Sequence, residues 1–288
     1  MRDLDRSQGD AAAVLAGIAS RSSGQMRGEN FPVVLRLLPR RPRTQLARVY
    51  AFARFVDDVG DEAPGDRTQL LDLIDDDVRA LWIGEPKLAP VAGLRTVIAE
   101  HAVPIEPFLD LVEANRIDQH TVRYETFDDL LGYCRLSAAP VGRIVLHLAG
   151  AATERNVVES DAVCAALQIL EHCQDVGEDA RAGRVYLPAA DLRAAGAADS
   201  ELFAATTSPR LRCVVGVQVD RATDMLQAGR KLVRHLSGWS RLAVSGYVAG
   251  ALATADALRD ADYDVLARPI GPAKTRVAAR ALRLIVGW

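Results

Sequence analysis

Apolar residues recur along almost the whole chain with the 3.6-residue period of an α-helix, and no segment alternates between apolar and polar positions as a strand would. Glycine and proline interrupt the pattern at Pro64-Gly65, Gly84, Gly150 and Pro269. The fold class is therefore predicted to be all-α. Pro140 should kink the helix that contains it. Helices are expected at about 44–61, 70–82, 90–101, 105–118, 127–150 and 160–180, with three or four more over 189–288.

The N-terminal region has a different pattern. Residues 1–28 are polar and contain glycine, so we expect a flexible arm there. A helix should start near Phe31, and Pro39 and Pro42 should interrupt it. The 288 residues, 49% of them hydrophobic, can bury a large core. We therefore predict a single domain over 29–288.

Charge and cysteine content indicate the compartment and the partners. A net charge of -3 and a pI near 6.0 provide no field that would attract nucleic acid. The four cysteines lie in apolar helical surroundings without C-x-x-C spacing, which is typical of reduced thiols in a cytoplasmic protein. No apolar run reaches the ~20 residues that span a bilayer. Acidic residues before the apolar run 11–19 argue against a signal peptide.

Two acidic clusters interrupt the apolar background, and they are DDVGD from Asp57 and DVGED from Asp175. Side chains four residues apart share a helix face, so Asp57 and Asp61 lie on one face, and Asp175 and Asp179 lie on one face. Positions 50, 54, 57 and 61 form one polar stripe, and 168, 172, 175 and 179 form another with the same spacing. Paired carboxylates in apolar helices need a counter-charge, and they suit Mg²⁺ shared with substrate phosphates. We therefore predict a metal site, rather than two solvated helix ends, from Asp57, Asp61, Asp175 and Asp179.

Other polar residues have two interpretations. Arg54 could form an intrahelical ion pair near Asp57, or bind diphosphate with its planar guanidinium, which we favour. His172 could be a base or a buried structural histidine. His235 is expected to be structural. The acidic run from Asp72 to Asp77 lies opposite an apolar helix face, so we expect it to be plain surface.

Longer segments resemble the squalene/phytoene synthase family. They are NFPVVLRLLPRRPRTQLARVYAFARFVDDVGDE from Asn30, SAAPVG from Ser137 after Tyr133-Cys134, and QDVGEDARAGRVYLP from Gln174. The resemblance implies an isoprenoid synthase fold, a helical bundle around a central cavity where two carboxylate helices hold Mg²⁺ and a prenyl diphosphate. It implies catalytic roles for Asp57, Asp58, Asp61, Asp175, Asp179, Tyr50 and Tyr133. It implies substrate-binding roles for Phe31, Arg54, Ala138, Gly142, Gln168, Glu171, Glu178 and Arg268.

Within the family, the segments ENFPV, YAFAR, YCRLSAAPVGR and LEHCQDV look most like the bacterial hopanoid branch that converts presqualene diphosphate into hydroxysqualene. Members that condense two prenyl diphosphates commonly have asparagine and arginine where this chain has Glu171 and Gln174. This departure fits a single diphosphate substrate. The alternatives are condensation of two prenyl diphosphates to presqualene diphosphate, squalene or phytoene, and a non-catalytic scaffold. Tyr50 and Tyr133 could stabilise a carbocation or be core aromatics.

The C-terminal segment 275–288 has a basic amphipathic pattern, with Arg276, Arg280 and Arg283 on one face. A last helix that docks on the domain is the simpler interpretation. Peripheral contact with the inner face of the membrane is the alternative. We expect a cytoplasmic enzyme in either case.

Overall fold

A computed structural model describes residues 11–21 and 38–286, and these residues confirm the all-α prediction. Across these ranges the backbone forms helices and no strand, and one isolated bridge joins Arg123 and Val185. The chain divides into two compact units, Met1–His120 with His147–Gly150, and Thr121–Leu146 with Ala151–Trp288. The predicted single domain over 29–288 spans both units and stays a prediction.

The first unit contains α1 (11–21), α2 (Arg40–Glu62), α3 (Arg67–Ile83), α4 (Ala89–Ala92), α5 (Arg95–His101) and α6 (Glu106–Ile117). Helix α1 lies where we expected a flexible arm, and its Leu15 and Ile18 are each only 2% exposed. The structure corrects that expectation for 11–21, because this alanine-rich run favours a helix and supplies two large apolar side chains for burial. The other residues of the predicted arm lie outside the described ranges.

Helix α2 begins about four residues earlier than predicted. Pro39 directly precedes it and Pro42 lies in its first turn, where backbone N–H groups have no partner within the helix. Pro42 therefore lies at the start of a helix and does not interrupt one, whereas the interruption expected at Pro39 stays a prediction. The helix predicted from Phe31 lies outside the described residues. Phe52 of α2 meets Phe108 of α6 edge to face, with ring centroids 5.7 Å apart, and this contact anchors α2 to α6.

Asp75 and Asp77 of the acidic run on α3 are buried, contrary to our prediction, whereas Asp72 and Asp76 are exposed as predicted. Asp77 is 8% exposed and accepts hydrogen bonds from the backbone N–H groups of Lys87 and Leu88 at 2.6 and 2.9 Å. Asp75, also 8% exposed, pairs with Arg116 of α6 at 3.2 Å. Both carboxylates tie α3 to other segments. The helical pattern of α3 alone could not reveal partners that lie in a later loop and on another helix.

The second unit contains α7 (Phe127–Ser137), most of α8 (Ala139–Leu148), α9 (Glu154–Gln174), α10 (Val176–Arg181), α11 (Ala189–Ala195), a short 3₁₀ helix (Asp199–Phe203), α12 (Pro209–His235), α13 (Gly238–Asp260) and α14 (Lys274–Val286). The helix predicted over 127–150 is broken at Ala138 rather than kinked at Pro140. Pro140 lies in the first turn of α8, where proline is tolerated. The helix predicted over 160–180 begins earlier, after the cap Thr153, and breaks at Asp175.

Helix α8 approaches α9 closely at Gly142. A Cβ atom at this position would lie 2.5 Å from Oγ of Ser160 and 2.6 Å from Sγ of Cys164, so only glycine fits without a shift. Arg143 also donates two hydrogen bonds to Asp161, at 3.0 and 2.8 Å. These contacts fix α9, which leads into the second acidic cluster.

The C-terminal helix α14 contacts α13. Arg276 pairs with Asp260 at 2.7 Å, and Arg280 pairs with Asp256. These pairs agree with the simpler interpretation of the segment, a last helix docked on the protein. In the parts of the chain that the structure describes, no helix is both long and apolar enough to cross a membrane.

Candidate active site

The first acidic cluster lies at the C-terminal end of α2. Asp57 and Asp61 are exposed, whereas Asp58 is buried. Loss of hydration in the surrounding protein raises the pKa of Asp57 to about 6. A hydrogen bond that Asn115 donates to Oδ1 of Asp57 at 3.0 Å acts in the opposite direction and lowers this pKa. The charge of Asp61 raises this pKa further. The side chain remains open to solvent, so water screens part of the effect. A cation could stabilise an accessible carboxylate of this kind.

Asn115 of α6 is a site residue that the sequence did not predict. It is 8% exposed, and its amide donates to the carbonyl of Leu111 as well as to Asp57. A Cβ atom at Gly60 would lie 2.2 Å from Oδ1 of Asn115. The glycine of the first cluster therefore leaves the space through which Asn115 reaches Asp57. An asparagine among the apolar positions of a predicted helix was the signal available in the sequence.

Arg54 forms an ion pair with Asp58, and its charge also lowers the pKa of Asp57. Its Nε lies 2.8 Å from Oδ1 of Asp58, which is 6% exposed, so the ion pair neutralises a buried charge. The predicted catalytic residue Asp58 thus has a structural partner and lies on a different helix face from Asp57. Tyr50 is half-buried. The roles of Arg54, Asp58 and Tyr50 towards substrate stay predictions.

The second acidic cluster spans the junction of α9 and α10. The last bond of α9 is donated by Asp175 N–H to the Glu171 carbonyl at 3.0 Å, and the first bond of α10 is donated by Asp179 N–H to the Asp175 carbonyl at 2.8 Å. Burial raises the pKa of Asp175 to about 6, and the charges of Asp179, Glu171 and Glu178 add to this shift. Burial also raises the pKa of Glu171. A bound cation would stabilise the ionised form of these neighbouring carboxylates.

A cluster of aromatic rings lies beside the second acidic cluster. His172 is 7% exposed and stacks on Tyr186, with ring centroids 3.7 Å apart and planes 11° apart. Tyr186 also contacts Tyr133 and Tyr124, at centroid distances of 5.7 and 5.8 Å. Of these tyrosines the sequence singled out only Tyr133. Tyr186 belongs to the quoted segment that ends in RVYLP, so its motif was visible although its contacts were not.

The structure gives the local surroundings of three more predicted substrate-binding residues. Ala138 is the half-buried break between α7 and α8. Gly142 lies where α8 packs closely against α9, and its lack of a side chain permits this contact. Arg268 is exposed and lines a cavity of about 310 Å³ together with Asp260. Phe31 lies outside the described residues. Substrate contact by all four stays a prediction.

A cavity of about 280 Å³ adjoins Glu171 and Gln174. Tyr247 of α13 also lines it, and burial raises the pKa of this phenol. Gln174 donates a hydrogen bond to the backbone carbonyl of Ile270. Sequence reasoning missed Tyr247, whose only signal is a lone tyrosine in a helix of small residues.

The chemistry of the carboxylate pairs fits a magnesium ion. Among the described residues no three His, Cys, Asp or Glu side chains come together as a preformed metal site. Mg²⁺ is usually held by one or two carboxylates, with substrate phosphates and water as the other ligands. Asp57 with Asp61, and Asp175 with Asp179, each meet that requirement. Oδ2 of Asp179 is buried and makes no hydrogen bond.

Comparison with known proteins identifies the family. Residues 25–282 match the profile described as Squalene/phytoene synthase. The chain belongs to this family. Its members are isoprenoid synthase enzymes that act on prenyl diphosphates, which confirms the resemblance seen in the sequence.

Relatives and solved structures support the assignment. The chain is 39% identical to a hydroxysqualene synthase of Rhodopseudomonas palustris over 76% of this chain and 75% of the relative. It is 36% identical to a hydroxysqualene synthase of Sinorhizobium fredii with the same two coverages. The crystal structure of squalene synthase HpnC from Alicyclobacillus acidocaldarius has a TM-score of 0.80 and 37% identity, over 88% of this chain and 96% of that one. These similarities confirm the isoprenoid synthase fold.

Proposed function

We propose that this enzyme converts presqualene diphosphate into hydroxysqualene and diphosphate in the presence of Mg²⁺. The observation that carries the proposal is the pair of acidic clusters, in which Asp57 and Asp175 each have a pKa raised to about 6. The names of the two relatives above support this particular reaction.

The two carboxylate pairs would hold Mg²⁺, which when bound neutralises the diphosphate and makes it a better leaving group. Arg54 would contribute positive charge towards the phosphate oxygens. Its Nε remains committed to Asp58, so its position is fixed before substrate arrives. The rings of Tyr133 and Tyr186 would face the carbocation and limit the access of water.

The reaction balances without a reductant. The carbon–oxygen bond to diphosphate breaks and leaves a carbocation. One water oxygen bonds to this cation and gives up a proton to solvent. The product is an alcohol, so the proposed reaction needs no hydride donor.

The second acidic cluster supports a single diphosphate substrate. Gln174 occupies the position where condensing relatives commonly have arginine, and its amide is bonded to the carbonyl of Ile270. It therefore offers no positive charge for a second diphosphate, and one of its two amide N–H groups is already used. Glu171 adds negative charge beside Asp175 and would repel one.

We also propose a cytoplasmic enzyme that contacts the inner face of the membrane through 275–288. In α14, Leu282 and Val286 are 62% and 59% exposed, beside the exposed Arg283. Exposed apolar residues next to a basic one suit the interface of an anionic bilayer. Arg276 and Arg280 already pair with aspartates of α13, so any such contact is weak.

The test is to incubate the purified protein with Mg²⁺ and either presqualene, farnesyl or geranylgeranyl diphosphate, and to identify the extracted lipids. We expect hydroxysqualene from presqualene diphosphate alone. A product from farnesyl or geranylgeranyl diphosphate alone would instead establish condensation. No turnover of any of the three would favour a scaffold.

A further inference from the structure

One oxygen of the Asp179 carboxylate has no hydrogen-bond donor, although His172 lies close to it. This oxygen, Oδ2, is buried and makes no hydrogen bond. Nδ1 of His172 faces this oxygen at 3.7 Å, which is longer than a hydrogen bond. A buried acceptor without a donor is costly, and most such groups in native proteins have a partner or a function.

Gln168 determines which nitrogen of His172 carries the proton. The side-chain NH₂ of Gln168 lies 3.3 Å from Nε2 of His172. An amide NH₂ can only donate, so Nε2 accepts and the proton of the neutral ring is on Nδ1. Nδ1–H is therefore directed at Asp179. A shift of about 1 Å would complete the hydrogen bond.

Tyr186 fixes the plane of the same ring. The two rings are nearly parallel and 3.7 Å apart, and only 7% of His172 is exposed. A stacked and buried ring has little freedom to rotate. Gln168, Tyr186 and Asp179 thus contact His172 on different sides.

We propose that His172 is a positioning residue for the second acidic cluster. Held by Gln168 and Tyr186, it directs Nδ1–H at Oδ2 of Asp179 and so leaves the other carboxylate oxygen oriented towards the metal ion. This inference rests on the proposed function, because it concerns the magnesium site of that reaction. Partners that orient a metal ligand in this way typically change metal affinity by about 10–100-fold when they are removed.

Two substitutions separate positioning from simple packing. His172→Asn keeps an amide donor close to the position of Nδ1 but removes the ring. His172→Phe keeps a ring that can stack on Tyr186 but has no donor. His235→Phe is the matched control, because His235 pairs with Glu159 at 3.0 Å, and Glu159 lies about 24 Å along the helix from Asp175.

The experiment measures the unfolding midpoint of the full-length protein during a titration with Mg²⁺ in the presence of inorganic diphosphate. We expect saturable stabilisation of the wild type. His172→Phe should raise the half-saturating Mg²⁺ concentration about 10-fold or more, whereas His172→Asn should stay within about threefold of the wild type. His235→Phe should not change it. If His172→Phe does not fold, His172→Gln, which moves the donor to the Nε2 position, replaces it with the same expected loss.

Three results would overturn the inference. A normal Mg²⁺ response of His172→Phe with a lost response of His172→Asn would show that the ring matters only for packing. A lost response of both variants would also exclude the donor role, since asparagine retains a donor. If Mg²⁺ and diphosphate do not stabilise the wild type, the proposed magnesium site does not exist, and the proposed function fails with it.

Discussion

Replacement of Asp175 by asparagine should stabilise the metal-free protein while it abolishes catalysis. Burial and neighbouring carboxylates raise the pKa of Asp175 from 3.8 to about 6. A difference of about 2 pKa units corresponds to about 3 kcal/mol of cost to the folded state at pH 7. The amide of asparagine carries no charge but must still be buried. We therefore expect a gain of about 1–3 kcal/mol in the free energy of unfolding.

The gain should depend on pH in a defined direction. The folded protein keeps the proton of Asp175 up to about pH 6, whereas the unfolded chain releases it near 3.8. The cost of the charge is thus fully present above about pH 6 and absent below about pH 4. The advantage of Asp175→Asn should fall to roughly half at pH 5 and almost vanish at pH 4.

Urea unfolding followed by circular dichroism, with a chelator present, measures this advantage. Asp264→Asn is the matched control with the opposite sign. Hydrogen bonding to the backbone N–H of Thr207 and the charge of Arg212 lower the pKa of Asp264, so its replacement should destabilise the protein. A variant Asp175→Asn that is less stable than the wild type at pH 7, or whose advantage does not change with pH, would refute the reasoning.

Three further outcomes are expected. Asp57→Asn should lower turnover by orders of magnitude with unchanged helix content in circular dichroism, and retained activity would exclude Asp57 as a metal ligand. Gly142→Ala should lower the free energy of unfolding by about 1–3 kcal/mol in urea titrations, because its Cβ would lie 2.5 Å from Oγ of Ser160. Deletion of 275–288, or Leu282→Gln alone, should weaken sedimentation with anionic vesicles, and unchanged sedimentation would exclude membrane contact through α14.

The fold could be predicted wherever apolar periodicity and breakers agree. Gly84 ends α3 as predicted, and Pro64-Gly65 separates α2 from α3. Predictions were wrong where proline was taken for a breaker, since Pro42 and Pro140 lie in first turns where their missing N–H groups cost nothing. Spacing along the chain does not distinguish a proline that starts a helix from one that ends it.

The acidic clusters could be predicted from helical periodicity, because helical spacing determines which carboxylates share a face. Their partners could not. Asn115 reaches Asp57 from another helix, and Arg54 has acidic residues both three and four positions later, so only the structure selects Asp58. The contact of Asn115 with Asp57 depends on tertiary packing, which periodicity does not encode.

The most direct test of the central claim is product analysis of presqualene diphosphate, incubated with the enzyme and Mg²⁺ in water enriched in heavy oxygen. We expect hydroxysqualene that carries the heavy oxygen, together with an equal amount of released diphosphate. An unlabelled alcohol would contradict capture of the cation by water. The absence of hydroxysqualene, with a condensation product formed from farnesyl diphosphate, would contradict the proposed reaction as a whole.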